Sequence, residues 1–199
     1  AQAEKEAAAP SLTRKKATHR MDREITNALH RLVMPHAPFE TAFETIPLAA
    51  RGLDRISFLL AANAGEEAKS LKQVASGGEV SRIMLAIKAV FAHYDLIPTL
   101  IFDEIDAGIG GATARRVSDR IRELAASKQV LCITHLAQIA APADMHYKVT
   151  KEEENGEQTT TQVFKMNKEE REKEIARLLD GSVSSASLRH AKALLKEFQ

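Results

Sequence analysis

The stretch "TLIFDEIDAGIGGATARRVSDRIRELAASKQVLCITH", Thr99 to His135, sets two short apolar runs on either side of an amphipathic segment. "TLIFDE" and "QVLCITH" read as strands, and about Ala112 to Ala126 as a helix between them. Apolar strands separated by a helix predict a parallel sheet with a right-handed crossover. In open α/β sheets ligands collect at the carboxyl ends of the strands, and both strands end in reactive side chains. The first delivers Asp103 and Glu104 together. Such a pair suits divalent-metal work, one carboxylate holding Mg²⁺ while its neighbour orients or deprotonates a water; strands also end in acids for no such reason. The second ends in Thr134 and His135, and one crossover brings His135 to the same edge as the acids. Between them Asp106 can cap or brace a loop. Gly108, Gly110 and Gly111 suit a tight strand-to-helix loop better than a phosphate cradle, because no Lys-Ser/Thr pair follows them.

Upstream, "ASGGEVSR", Ala75 to Arg82, opens a helix. Ser76 and Glu79 have the spacing of a capping box, and Val80, Ile83, Met84, Ile87, Val90 and Phe91 recur at helical intervals. Gly77 and Gly78 are not explained by a helix start, since glycine is a poor helix former. They let a ligand approach the backbone, and an uncovered helix N-terminus attracts anions. A plain helix start and a phosphate site both remain open on this stretch alone.

Further out, "AQAEKEAAAP" predicts a first helix stopping at Pro10, with Ser11 capping a second. Along the second, Met21, Ile25, Ala28, Leu29 and Leu32 form a seam for a partner helix or for the chain's own domain. "FETAFETI" and "LDRISFLLAAN" read as strands linked by "IPLAARG". "HYKVTK" and "TTTQVFKM" read as an antiparallel hairpin turning at Asn155 and Gly156. Helices at about Lys168–Leu179 and Ser184–Phe198 finish the chain. The abrupt helical start reads as a chain cut from something longer.

With 199 residues, 44% hydrophobic and 28% charged, the composition is that of a globular domain with an appendage. The net charge of +1 announces no overall affinity for nucleic acid. Local stripes exist, Arg14, Lys15, Lys16, Arg20 and Arg23 on the early helix and Arg115, Arg116, Arg120 and Arg122 on the later one. Cys132, the single cysteine, reads as a buried inert thiol. Neither a membrane span nor a signal-peptide core is apparent, which points to a cytoplasmic protein. Zinc spacing, a nucleophile elbow and a Cys/His dyad are all missing. So is any G-x-x-x-x-G-K-[ST], the usual grip on β- and γ-phosphates.

In order and spacing, "ASGGE", "TLIFDE", "IDAGI" and "CITH" resemble the signature, Walker B, D-loop and switch-histidine motifs of SMC-like, ABC-type ATPase heads. The longer runs "ASGGEVSRIMLAIKAVF", "IFDEIDAGIGGATA" and "ITHLAQIAAPADMHYKVTK" look like a bacterial DNA-repair branch of that family, from about Leu29 onward. The resemblance implies the α/β carboxyl-terminal lobe of a P-loop NTPase head lacking its P-loop half. Residues 1–33 would be the end of a coiled-coil arm helix, and 34–199 the head lobe. It further implies ATP and Mg²⁺ as cofactors, with Asp103 on the metal, Glu104 and His135 catalytic, and Ser76, Gly77, Gly78 and Asp106 meeting nucleotide across a head–head dimer. The implied partners are the chain's own amino-terminal P-loop half, a second copy and DNA, with no membrane. The implied work is repair of double-strand breaks by recombination in the nucleoid, and without a P-loop this chain alone should be inactive. A non-hydrolysing dimerisation and DNA-contact module is the other reading; Glu104 argues against it, since such a module needs no base beside the metal acid.

Overall fold

The computed structural model describes residues 2–35, 37–61, 67–73, 77–154 and 158–198. They form two compact units, Ala1–Ala107 with Glu123–Cys132, and Gly108–Arg122 with Ile133–Gln199. The first holds helix α1 (Gln2–Arg31), the antiparallel strands β1 (Phe39–Ala49), β2 (Gly52–Leu60) and β3 (Lys69–Ser70), helix α2 (Gly77–Phe91), and strands β4 (Thr99–Phe102) and β5 (Gln129–Cys132).

α1 is one helix, not two: the expected stop at Pro10 does not occur. Proline removes a single backbone donor, and around Pro10 the helix is exposed, so water can serve the freed carbonyl. Ser11 does not cap a helix; its hydroxyl donates to Asp54 Oδ1 at 2.7 Å, and Arg14 pairs with the same carboxylate at 3.3 Å. The seam residues Ile25, Leu29 and Leu32 are fully buried, and α1 packs on β1, β2 and α2 of its own unit. Asp22 and Thr26 fix the hairpin to α1, accepting from the Thr41 and Phe39 amides at 3.0 Å each. The helix closes through Met34 N–H on the Leu29 carbonyl (3.2 Å), with Val33 left-handed at φ 63°. That closure usually falls to glycine; a β-branched residue there is strained by about 1–2 kcal/mol.

The expected link "IPLAARG" is largely strand. β1 runs on to Ala49 because a register shift between Thr45 and Ala49 absorbs Pro47, which has no N–H for a ladder. β4 and β5 pair in parallel as expected, Thr99 opposite Gln129 and Phe102 opposite Cys132. The chain therefore leaves both strands at one edge.

α3 (Gly111–Ala125) begins in the second unit, which also holds α4 (Ala137–Ala140), the hairpin β6 (Tyr147–Glu154) and β7 (Gln158–Lys165), α5 (Lys168–Asp180) and α6 (Ser185–Lys196). The hairpin pairs Tyr147 with Lys165 and Lys151 with Thr161; its expected turn at Asn155 and Gly156 lies outside the described residues. Capping boxes at Asn167–Glu170 and Ser184–Ser187 start the last two helices, and left-handed Gly181 (φ 74°) ends α5. Ile175, Ala176, Ala191, Leu194 and Leu195 join these helices into a core that also receives Ala137 and Ala141. Among the described residues no helix is long and apolar enough to cross a membrane.

Candidate functional site

β4 ends at Phe102, so Asp103 and Glu104 leave the strand and stand exposed at its carboxyl end. Asp103 Oδ1 accepts from the Glu104 amide at 2.9 Å. Glu104 itself has φ 55°, a left-handed backbone that non-glycine residues rarely adopt. A turn follows, Ala107 N–H donating to the Glu104 carbonyl at 3.0 Å, and it buries Ile105 and Asp106. The carboxylate after the strand is thus presented at a conformational cost, as strained residues at working sites often are. Cys132 is half-buried rather than buried as expected; desolvation, aided by the charges of Asp106 and Asp103, pushes its thiol up to about 12, so it stays protonated.

The start of α2 lies against this turn. A Cβ on Gly78 would stand 2.7 Å from the Ala107 carbonyl oxygen and 2.9 Å from its Cβ, and one on Gly77 would strike the Glu104 carboxylate. The glycines therefore admit the chain's own acid loop, a reason the sequence did not reveal. Ser76, and with it the expected capping box, lies outside the described residues. Two further residues of α2 hold the loop. Ser81 Oγ donates to the Asp103 carbonyl at 2.6 Å, and buried Arg82 donates to the carbonyls of Ala107 (3.0 Å) and Ile105 (3.4 Å). Burial lowers the Arg82 pKa and the charge of Glu79 opposes it; an arginine stays charged all the same. Arg82 was visible in outline, since it shares a helix face with Gly78, Leu85 and Ala86, where a charge is out of place.

Gly77, Gly78, Asp103, Glu104 and Asp106 thus share the first unit, whereas His135, three residues beyond the end of β5, belongs to the second. There it is exposed and stands just before α4. Among the described residues no three His, Cys, Asp or Glu side chains gather to hold a metal. Asp103, exposed beside Glu104, fits Mg²⁺, which takes one or two protein carboxylates and completes its shell with phosphate oxygens and water.

The basic stripes are largely engaged within the chain. On α1, Arg14 pairs with Asp54, Arg20 with Glu24 at 2.7 Å, and Lys15 lies over the Phe43 ring. On α3, Arg115 pairs with Glu197 at 2.7 Å, and both Arg115 and Arg122 stack on Phe198.

No protein-family model matches the chain. Curated relatives do. DNA repair protein RecN of Bacillus subtilis is 40% identical over 209 residues, covering 96% of this chain and 36% of that protein. RecN of Treponema pallidum is 53% identical over 146 residues (73% of this chain, 25% of that protein), and RecN of Deinococcus radiodurans 48% over 168 (84% and 29%). Among solved structures, the Smc head domain with a coiled coil and joint from Pyrococcus yayanosii superposes with a TM-score of 0.58 at 22% identity, covering 84% of this chain and 30% of that one. The Pyrococcus furiosus Smc head with an extended coiled coil gives 0.52 at 22% identity, covering 78% and 36%. The chain therefore has an SMC-head-like α/β fold and belongs to the RecN family, spanning about a third or less of the length of these RecN relatives.

Proposed function

We propose that this chain is the carboxyl-terminal lobe of an SMC-like ATPase head that acts in DNA double-strand-break repair, and that its nucleotide site is completed by other chains or segments. The observation that carries the reading is Glu104, held left-handed at the end of β4 directly behind Asp103 and beside the glycine start of α2. In this reading Asp103 holds Mg²⁺, which would neutralise charge on the phosphates when bound. Glu104 takes a proton from the attacking water, and His135 donates to the γ-phosphate. The α2 start, with Ser76, Gly77 and Gly78, meets the phosphate of a nucleotide held by a second head, and Asp106 braces the loop that crosses that interface. Positioning and charge stabilisation then carry most of the rate.

The missing P-loop belongs, in this reading, to the amino-terminal half of the same protein. A parallel sheet is normally covered on both faces, yet Ile101 of β4 and Leu131 of β5 are 68% and 46% exposed. Beside them a groove of about 220 Å³ opens between α2 and β4, lined by Val80, Met84, Leu100 and Ile101. These apolar surfaces suit a lobe that packs on this one. Residues 1–33 fit the end of an arm, because α1 buries only its last turns while its first ten residues are almost wholly exposed. Contact with DNA, through surfaces other than the engaged arginines, belongs to the same reading.

The test is ATP turnover by this chain alone and after co-purification with the P-loop half, with Glu104→Gln as control. Turnover is expected only in the mixture, and Glu104→Gln should lower it by roughly a hundredfold or more. A folded mixture without turnover would favour a non-hydrolysing dimerisation and DNA-contact module. Glutamate-dependent turnover by this chain alone would overturn the composite site.

A further inference from the structure

The segment after His135 is anchored from the C-terminal helices. Leu136 N–H donates to Thr134 Oγ1 at 3.1 Å, which turns the chain into α4 immediately past His135. α4 is a single turn without a side-chain N-cap, and one turn of helix does not hold itself. Ala137 at its start and Ala141 at its C-cap are buried against the core of α5 and α6. Two side chains meet carbonyls at its end and in the turn just past it. Arg171 Nη2, on α5, donates to the carbonyls of Ala141 (2.6 Å) and Ala143 (2.7 Å). The His146 ring bonds to the Ala140 carbonyl, and since its Nε2 has no partner the donor is Nδ1. Arg171 gives these donors to backbone although Glu174 lies one turn along its own helix; Glu174 pairs instead with Lys148 (2.8 Å) and Arg177 (2.5 Å).

Resting on the nucleotide-site reading above, we propose that Arg171 is a positioning residue for His135. From α5 it locks the far end of α4, and the four-residue rod transmits that constraint to the histidine at its near end. The rod is about 6 Å long, so a tilt of some ten degrees at the anchor displaces His135 by roughly 1 Å, a misplacement that can cost up to about a hundredfold in rate. The C-terminal helix pair thereby becomes the seat of the switch histidine, and a partner that shifts α5 would retune it.

The test uses Arg171→Met, Arg171→Lys and, as a control, Lys148→Met on β6, which breaks the ion pair with Glu174 of α5. In this chain the ¹⁵N ring signal of His135, assigned with His135→Gln, reports its setting; in the mixture with the P-loop half, kcat and KM for ATP are measured. Arg171→Met should move and broaden the His135 signal and lower kcat by roughly tenfold to a hundredfold, with KM within about twofold. Arg171→Lys, which keeps the charge but not the two-carbonyl fork, should fall between, and decides the matter if the methionine variant fails to fold. Lys148→Met should move neither readout. An unmoved His135 signal in a folded Arg171 variant, or an equal shift in Lys148→Met, would overturn the proposal. If the wild-type mixture hydrolyses no ATP, the nucleotide-site reading fails, and the ring signal still decides the anchoring.

Discussion

Arg82 on α2 and Arg171 on α5 each carry one guanidinium to two backbone carbonyls of a loop that follows a parallel strand, Ile105 and Ala107 in the first unit, Ala141 and Ala143 in the second. Their surroundings differ. Around Arg82, itself 7% exposed, the loop is strained at Glu104 and pressed against Gly78 with no room for a methyl group. Around Arg171 the packing is between alanines, and two buried nitrogens, its own Nε and His146 Nε2, have no protein partner. The acid loop is held by close packing and the histidine loop by polar anchors. They should fail differently, the first to loss of a contact and the second to a change of charge.

The largest effect is expected at Arg82. Arg82→Met keeps the length of the side chain but leaves the buried carbonyl of Ile105 and the half-buried one of Ala107 without their donor, which should cost about 3 kcal/mol of stability by denaturant titration. A cost below about 1 kcal/mol would mean that the packing at Gly78 holds the loop without help.

What the sequence showed of this comparison was uneven. The parallel pairing of β4 with β5 and the acids at the strand's end were legible, because apolar runs and a crossover helix leave few topologies. Both arginines were missed as anchors. Arg82 is marked only by a charge on an apolar helix face, and Arg171 sits in "KEEREKE", where alternating charge reads as a solvated surface. Neither pattern says that the partner is a backbone carbonyl some 25 or 30 residues away. Pro10 misled for a related reason: its local cost was visible, but not the contacts of Ser11 and Arg14 with Asp54, which lies 43 and 40 residues downstream.

The second effect is one of pH. Burial, with the charge of Arg171, holds His146 down to about 4 against an ordinary 6.5, despite its bond to the Ala140 carbonyl and the opposing charge of Glu174. In the unfolded chain the ring takes up a proton as pH falls through 6.5, while in the folded chain it does not until about 4. The unfolded state therefore binds more protons in that window, and stability present above pH 6.5 is lost as pH falls towards 4. Between about pH 7 and about pH 5 the loss from this group should be about 2 kcal/mol. His146→Gln, neutral throughout, should flatten that part of the profile. An unchanged slope would mean that another group carries the loss in that window; Glu174, whose carboxyl is held low by Arg177 and Lys148, acts only at lower pH.

The smallest expected change in stability is at Gly77, and it bears most directly on what the α2 start is for. A methyl group on Gly78 meets backbone and the fixed Cβ of Ala107, but one on Gly77 meets only the end of the Glu104 side chain, which can swing away. Alanine is also the better helix former, so Gly77→Ala should leave stability within about 0.5 kcal/mol of wild type. Its effect on turnover in the reconstituted head then separates the two uses of glycine. If turnover falls while the melting curve stays in place, the residue is glycine for the sake of Glu104 and the phosphate it meets. If the melting curve falls as well, Gly77 belongs to the packing of the acid loop, as Gly78 does.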